Sequence, residues 1–165
     1  LKARSLELLR RTAGPSRTDV IVRYRDAMTV GGDVLRGRNL FIKHCSACHR
    51  VEGQGHEIGP NLATIKSRGP ETILVNVLDP NAEVNPEYLN YAVLTVDGRT
   101  ITGMIASENA NSITLRRAEA ASDTVLRDDI DQMQSTGKSI MPEGMEQSLD
   151  IQAMADLIAY LMQVK

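Results

Sequence analysis

The chemistry in this chain is concentrated in Cys45-Ser46-Ala47-Cys48-His49, a C-x-x-C-H sequence. Two cysteines three residues apart on a helical turn can form thioethers to two neighbouring vinyl groups of one porphyrin. The His that follows then aims an imidazole nitrogen at the iron, and this spacing is the attachment pattern of c-type haem. Three other chemistries compete for the same residues. A thioredoxin-like dithiol follows a strand and opens a helix, whereas Asp33–His44 reads as a helix that precedes the pair. Asp33 caps it after Gly31-Gly32, and Val34, Gly37, Phe41 and His44 share one stripe. A structural zinc site draws four ligands, normally from two separated pairs, and His44, His49 and His56 sit too close in sequence to supply the second pair. Inert core thiols would leave the adjacent His a coincidence.

Downstream lies Gly53-Gln54-Gly55-His56-Glu57-Ile58-Gly59-Pro60-Asn61-Leu62, a glycine-rich loop with little side-chain bulk that can wrap past a porphyrin edge. A ligating His donates its other ring N–H to a carbonyl or carboxylate, which fixes its orientation, and the carbonyl of Pro60 is the candidate acceptor. A low-spin electron carrier needs a sixth ligand, and Met is the soft partner to His that raises the potential. Of seven Met, Met141 precedes Pro142, which biases it to an extended backbone, so its thioether can be held out from a loop. Met145 is the near rival. Met104 and Met133 read as strand and strand exit, Met154 and Met162 as helix core, and His56 is too near His49 to reach the opposite face.

These residues need elements to position them. The C-terminal stretch Leu149–Val164 reads as a helix capped by Ser148, with Asp150 favouring its N-terminal dipole and Ile151, Met154, Ile158 and Leu161 on one stripe. Gly37 exposes backbone one turn before Phe41, which would let Tyr160 approach and cross the two helices. A third helix fits Pro70–Leu78, stopped by Asp79-Pro80. Between it and Met141 the period changes to two: Leu89–Val96, the Asp97-Gly98 turn, Arg99–Ala106, Ser112–Arg117 and a last short strand near Thr124–Arg127 read as an antiparallel meander of about four strands. Leu1–Thr12, ended by Ala13-Gly14-Pro15, fits a small helix, the tail of a preceding domain in a processed protein or excised piece, since no initiator Met or signal pattern opens the chain.

At 165 residues, 42% hydrophobic and 24% charged, the chain is long enough for one domain and has the composition of a globular protein, with no apolar run of membrane-spanning length. Residues 1–50 carry a charge of +7 and residues 51–165 carry −9; the basic residues are not interleaved with aromatics, so nucleic acid is not an expected partner. One Phe, four Tyr and no Trp make aromatics scarce, and a porphyrin is a flat apolar body that could take their place in the core.

The motifs resemble those of c-type cytochrome domains of the planctomycete and verrucomicrobial (Pirellula/Verrucomicrobium) type, within the broader class I cytochrome c likeness. The blocks are Gly37-Arg38-Asn39-Leu40-Phe41, the C-x-x-C-H run, Gly59-Pro60-Asn61-Leu62, Leu78-Asp79-Pro80, Val96-Asp97-Gly98 with Thr102-Gly103, Ser139-Ile140-Met141-Pro142-Glu143-Gly144, and Ala155-Asp156-Leu157-Ile158-Ala159-Tyr160-Leu161. Asn61 stands where that family often has Asp. The resemblance implies a mainly α, class I cytochrome c-like helical fold with an inserted small β-meander. Residues 1–19 would form an N-terminal extension or linker, and residues 20–165 a cytochrome c domain with the insertion at about 88–130. It implies one haem c held by Cys45 and Cys48, with His49 proximal, Pro60 supporting it and Met141 distal. It also implies one-electron transfer without catalysis of its own, a periplasmic or otherwise extracytoplasmic location, and a redox partner protein or a fused dehydrogenase-like domain. Two other expectations stand beside this one: a haem enzyme or gas sensor with an open or labile distal site, and a docking module in which the meander dominates.

Overall fold

A computed structural model describes residues 17–164; the helix expected over Leu1–Thr12 lies outside them. The helical part comprises α1 (Arg17–Tyr24), α2 (Val34–His44), α3 (Gly69–Leu78) and α4 (Ile151–Leu161), with 3-10 turns at Arg25–Met28, Leu62–Arg68 and Met145–Gln147. None is long and apolar enough to cross a membrane among the described residues. Helices this short are marginal alone, so their stability comes from the faces they bury.

The caps show how the ends are set. Asp33 accepts the Arg36 amide at 2.8 Å. At the start of α4 the cap is Asp150, not Ser148: an extended backbone at Asp150 turns its carboxylate onto the Ala153 amide at 2.8 Å. The α3 helix stops at Asp79-Pro80, which leaves the Leu78 carbonyl without a helical partner; Arg17 Nε donates to it at 2.8 Å and Arg17 Nη1 pairs with Glu146 at 2.7 Å. One guanidinium therefore ties α1 to the end of α3 and to the Met145–Gln147 turn.

The α2 and α4 helices cross at Gly37. A Cβ there would run into the Asp156 carbonyl and lie 2.8 Å from Tyr160 Cβ, so close approach needs glycine. One turn on, Phe41 is fully buried and its ring meets that of Tyr160 at 5.8 Å. The same crossing is fastened by Asp156, almost wholly buried, which accepts Arg36 Nε at 2.6 Å, the Asp33 amide at 2.7 Å and Gln152 at 3.0 Å. Leu74, Leu78, Leu149, Met154 and Leu157 complete a contiguous core with Phe41, each contributing about 1.5–3 kcal/mol by leaving water.

The remainder is a sheet. Strands β1 (Arg50–Val51) and β2 (Gln54–Gly55) make a two-residue hairpin, and β3 (Leu89–Thr95), β4 (Thr100–Glu108), β5 (Ser112–Arg116), β6 (Ser122–Leu126) and β7 (Ile130–Ser139) form a five-stranded antiparallel sheet ordered β6-β5-β4-β3-β7. The Asp97-Gly98 turn joins β3 to β4, with Gly98 at a φ of 83° and the Thr95 hydroxyl receiving the Arg99 amide at 3.0 Å. The sheet buries its own cluster of Val93, Ile113, Leu115 and Val125, separate from the helical core.

The mainly α expectation is therefore wrong. Of the described residues 43% are helical and 27% are strand, and the sheet has five strands, not about four. The strand that was missed is β7. Its residues from Asp131 to Lys138 are all exposed, so it has no buried face to impose an alternation, and it is identified only by its pairing with β3, Val93 opposite Met133 and Leu94 opposite Gln132.

Candidate functional site

The α2 helix delivers Cys45 at its C-terminal cap, where the Cys45 amide donates to the Phe41 carbonyl at 2.8 Å. The chain keeps turning: the amides of Cys48 and His49 donate to the Cys45 carbonyl at 3.1 and 2.8 Å. Residues three apart on such a turn lie on one side, which is what two attachments to one flat group require. The loop then folds back, with the His56 amide on the Ser46 carbonyl at 3.0 Å and those of Ile58 and Gly59 on the Cys48 carbonyl at 2.9 and 2.7 Å. Gly55, at a φ of 91°, allows this return, since a Cβ there would strike the His49 carbonyl.

The same loop holds the imidazole. His49 Nδ1 lies 2.9 Å from the Pro60 carbonyl, and a carbonyl can only accept, so Nδ1 carries the proton and Nε2 is the bare nitrogen available to a metal. Gly59 lies flat against the ring: a Cβ would sit 2.5 Å from Cε1. Burial pushes the imidazole below the ordinary histidine range, with the Pro60 bond partly opposing, so the ring stays in its neutral, metal-ligating form.

Burial, with the neighbouring Cys48 adding to it, pushes the Cys45 thiol up to about 12, and burial also raises Cys48. Reactive redox cysteines have depressed values, so the dithiol reading is disfavoured. Among the described residues no three His, Cys, Asp or Glu side chains gather as a metal cage, which removes the zinc reading. The donor set instead fits a porphyrin: two uncharged thiols on one turn, an oriented imidazole with Nε2 free, a glycine surface beside the ring, and Cys45, Leu62, Ile65, Met141 and Met145 all packed on the same helical core.

The methionines separate by place. Met141 is half-buried just after β7, against the helical core, with its amide on Ser139 Oγ at 3.1 Å and the Ile140 amide on the Tyr88 carbonyl at 2.9 Å. Met145 packs on the same core from the next turn. Met154 is wholly buried inside α4. Met133 is exposed on the edge strand β7. Met104 lines a cleft of about 520 Å3 together with Gly59 and Asn61, beside the loop that carries the Pro60 carbonyl. His56 is exposed.

Two features have no counterpart in the sequence reading. The turn between β5 and β6 reaches the attachment segment, where the Glu119 amide donates to the Ala47 carbonyl at 2.7 Å. Glu119 and Ala120 hold φ values of 59° and 58°, a left-handed pair without glycine and so without a compositional signal. The other is the Arg36–Asp156 pair; an acidic residue set inside the apolar run Ala155–Leu161 was the available clue.

Residues 34–86 match the family model described as Cytochrome c. A cytochrome c from Stellaria longipes is 53% identical over 32 residues, covering 19% of this chain and 30% of that protein. This chain thus spans less than a third of that relative's length. The match encloses Cys45, Cys48, His49 and Pro60 and stops before the five-stranded sheet. Residues 34–86 thus carry the match to a cytochrome c domain, and such a domain implies a covalently bound haem c with its iron.

Proposed function

We propose that the chain is a one-electron carrier holding a single haem through Cys45 and Cys48, with His49 as proximal and Met141 as distal ligand. When bound, the haem supplies an iron that cycles between ferrous and ferric states. The observation that carries the reading is the His49–Pro60 contact at 2.9 Å, which would leave Nε2 of the residue next to the second cysteine available to hold a metal. The residues around it do the tuning. Pro60 raises the basicity of the imidazole, Gly59 lies against its ring, and Leu62, Ile65 and Met145 pack on the same helical core as Cys45 and Met141. Met141 in an anchored loop supports a shell that changes little between oxidation states.

The sheet and the order of the sequence blocks support placement in the planctomycete and verrucomicrobial type. With that comes an extracytoplasmic location, where haem is attached, and a redox protein or fused dehydrogenase-like domain as partner.

Absorption of the ferric protein tests the ligand set. A weak far-red sulfur-to-iron band at neutral pH, lost in Met141→Ala, is expected. A wild type that lacks the band and binds cyanide or carbon monoxide rapidly would have an open distal site, and the electron-carrier reading would fall in favour of a haem enzyme or gas sensor.

A further inference from the structure

We propose that Asn81 is a positioning residue for the distal side of the haem site, holding both ends of the loop that presents Met141; this rests on Met141 being the distal ligand. The side-chain oxygen of Asn81 accepts the Ser139 amide at 2.7 Å, and its nitrogen donates to the Glu143 carboxylate. Ser139 and Glu143 stand two residues before and two after Met141, so one amide group bridges the loop.

The loop needs such a bridge. Ser139 is the last residue of β7, so no ladder continues beyond it, and Pro142 has no amide proton to offer. The remaining ties are the Met141 amide on Ser139 Oγ at 3.1 Å and the Ile140 amide on the Tyr88 carbonyl at 2.9 Å, both on the strand side of the thioether. On the far side of Met141, Asn81 provides the nearest tie, through Glu143, three residues ahead of the Arg17 anchor at Glu146.

Asn81 is itself well placed to act as a fixed point. It follows Asp79-Pro80 at the end of α3, whose Leu78 is wholly buried and whose last carbonyl is gripped by Arg17. The helical core thus reaches Met141 through a helix end, one side chain and a loop. The task calls for a donor and an acceptor in one short neutral group. Asp would keep the bond to Ser139 but set two carboxylates against each other, and Ala would lose both bonds.

The test uses the full chain with haem attached. In Asn81→Ala the far-red band is expected to weaken, ferric cyanide binding to quicken by about tenfold, and Ser139 amide exchange to rise by a similar factor, two hydrogen bonds having been lost. Far-ultraviolet circular dichroism should not change. The double variant Asn81→Asp, Glu143→Gln exchanges the donor and acceptor and should return the cyanide rate to within about threefold of wild type. A rate, band and exchange in Asn81→Ala equal to wild type would overturn the proposal. Should Asn81→Ala fail to fold, Glu143→Ala decides: a cyanide rate about threefold faster supports the bridge and an unchanged one overturns it. A wild type without the band sinks the Met141 assignment and this inference together, whereas a band that is present and indifferent to Asn81→Ala sinks the inference alone.

Discussion

Three glycines that look alike in the sequence have different consequences. Gly31 has open space around its Cβ position, Gly37 faces the Asp156 carbonyl and Tyr160, and Gly59 faces the His49 ring. Gly31→Ala is expected to change stability by no more than about 0.5 kcal/mol, while Gly37→Ala should cost about 1–3 kcal/mol by forcing α2 and α4 apart; urea unfolding of the two variants measures the difference. Asp156 is the other residue whose environment decides its behaviour. Its hydrogen bonds from Arg36, the Asp33 amide and Gln152 hold its carboxyl down at about 2 against an ordinary 3.8. A depressed acid stabilises the fold fully above its unfolded value and loses that contribution as pH falls toward its folded value. Thermal unfolding temperature should therefore drop between about pH 4 and pH 2 more steeply in wild type than in Asp156→Asn, and parallel pH profiles would refute the role.

At the scale of elements, the β5–β6 turn is where the sheet meets the attachment segment. Its two left-handed non-glycine residues cost about 1 kcal/mol each, a strain maintained by the bond from the Glu119 amide to Ala47. Glu119→Gly keeps the amide and removes the steric penalty, so it should stabilise the haem-bearing protein by about 0.5–1 kcal/mol. Glu119→Pro removes the donor and cannot adopt a positive φ, so it should destabilise by about 2–3 kcal/mol. Guanidinium unfolding followed at the haem absorption distinguishes the two; equal effects would mean that the turn merely rests near Ala47. The β7 strand has a comparable linking role at the opposite end, since it runs directly into the Met141 loop.

Across the molecule, the described residues form two apolar cores with separate memberships, one helical and one inside the sheet. Of these two cores among the described residues, the helical one touches Cys45 and Met141. In Cys45→Ala, Cys48→Ala, which cannot attach haem, the helical circular dichroism signal is expected to fall while amides of β3, β4 and β5 remain protected from exchange. Uniform loss of protection would show that the sheet depends on the haem-bearing half. The same layout sharpens any test of the sheet as a docking surface. Deleting Tyr88–Arg127 would leave β7 without its partner β3 and disturb Met141, so exposed substitutions on β6 are the cleaner probe: a docking role for the sheet predicts slower reduction by a partner protein with the haem spectrum intact, and an unchanged rate rejects it.

Local chemistry made much of the site legible in advance. C-x-x-C-H spacing is a covalent requirement, Asp33 and Asp79-Pro80 act within one helical turn, and Asp97-Gly98 closes a hairpin by its own torsions; none needs the rest of the chain. Gly37 could be read because the absence of a Cβ is itself a packing statement. What escaped was whatever depends on a distant partner. The polar β7 is a strand only because β3 lies beside it, Ser148 yielded its cap to Asp150 because of how the preceding turn enters α4, and Glu119 and Asn81 acquire meaning only when the fold brings them to Ala47 and to the Met141 loop. The sequence by itself determined the reacting groups and their order along the chain. Tertiary structure alone decided the balance of helix and sheet and what holds the Met141 loop, because hydrogen bonds between residues tens of positions apart leave no period to read.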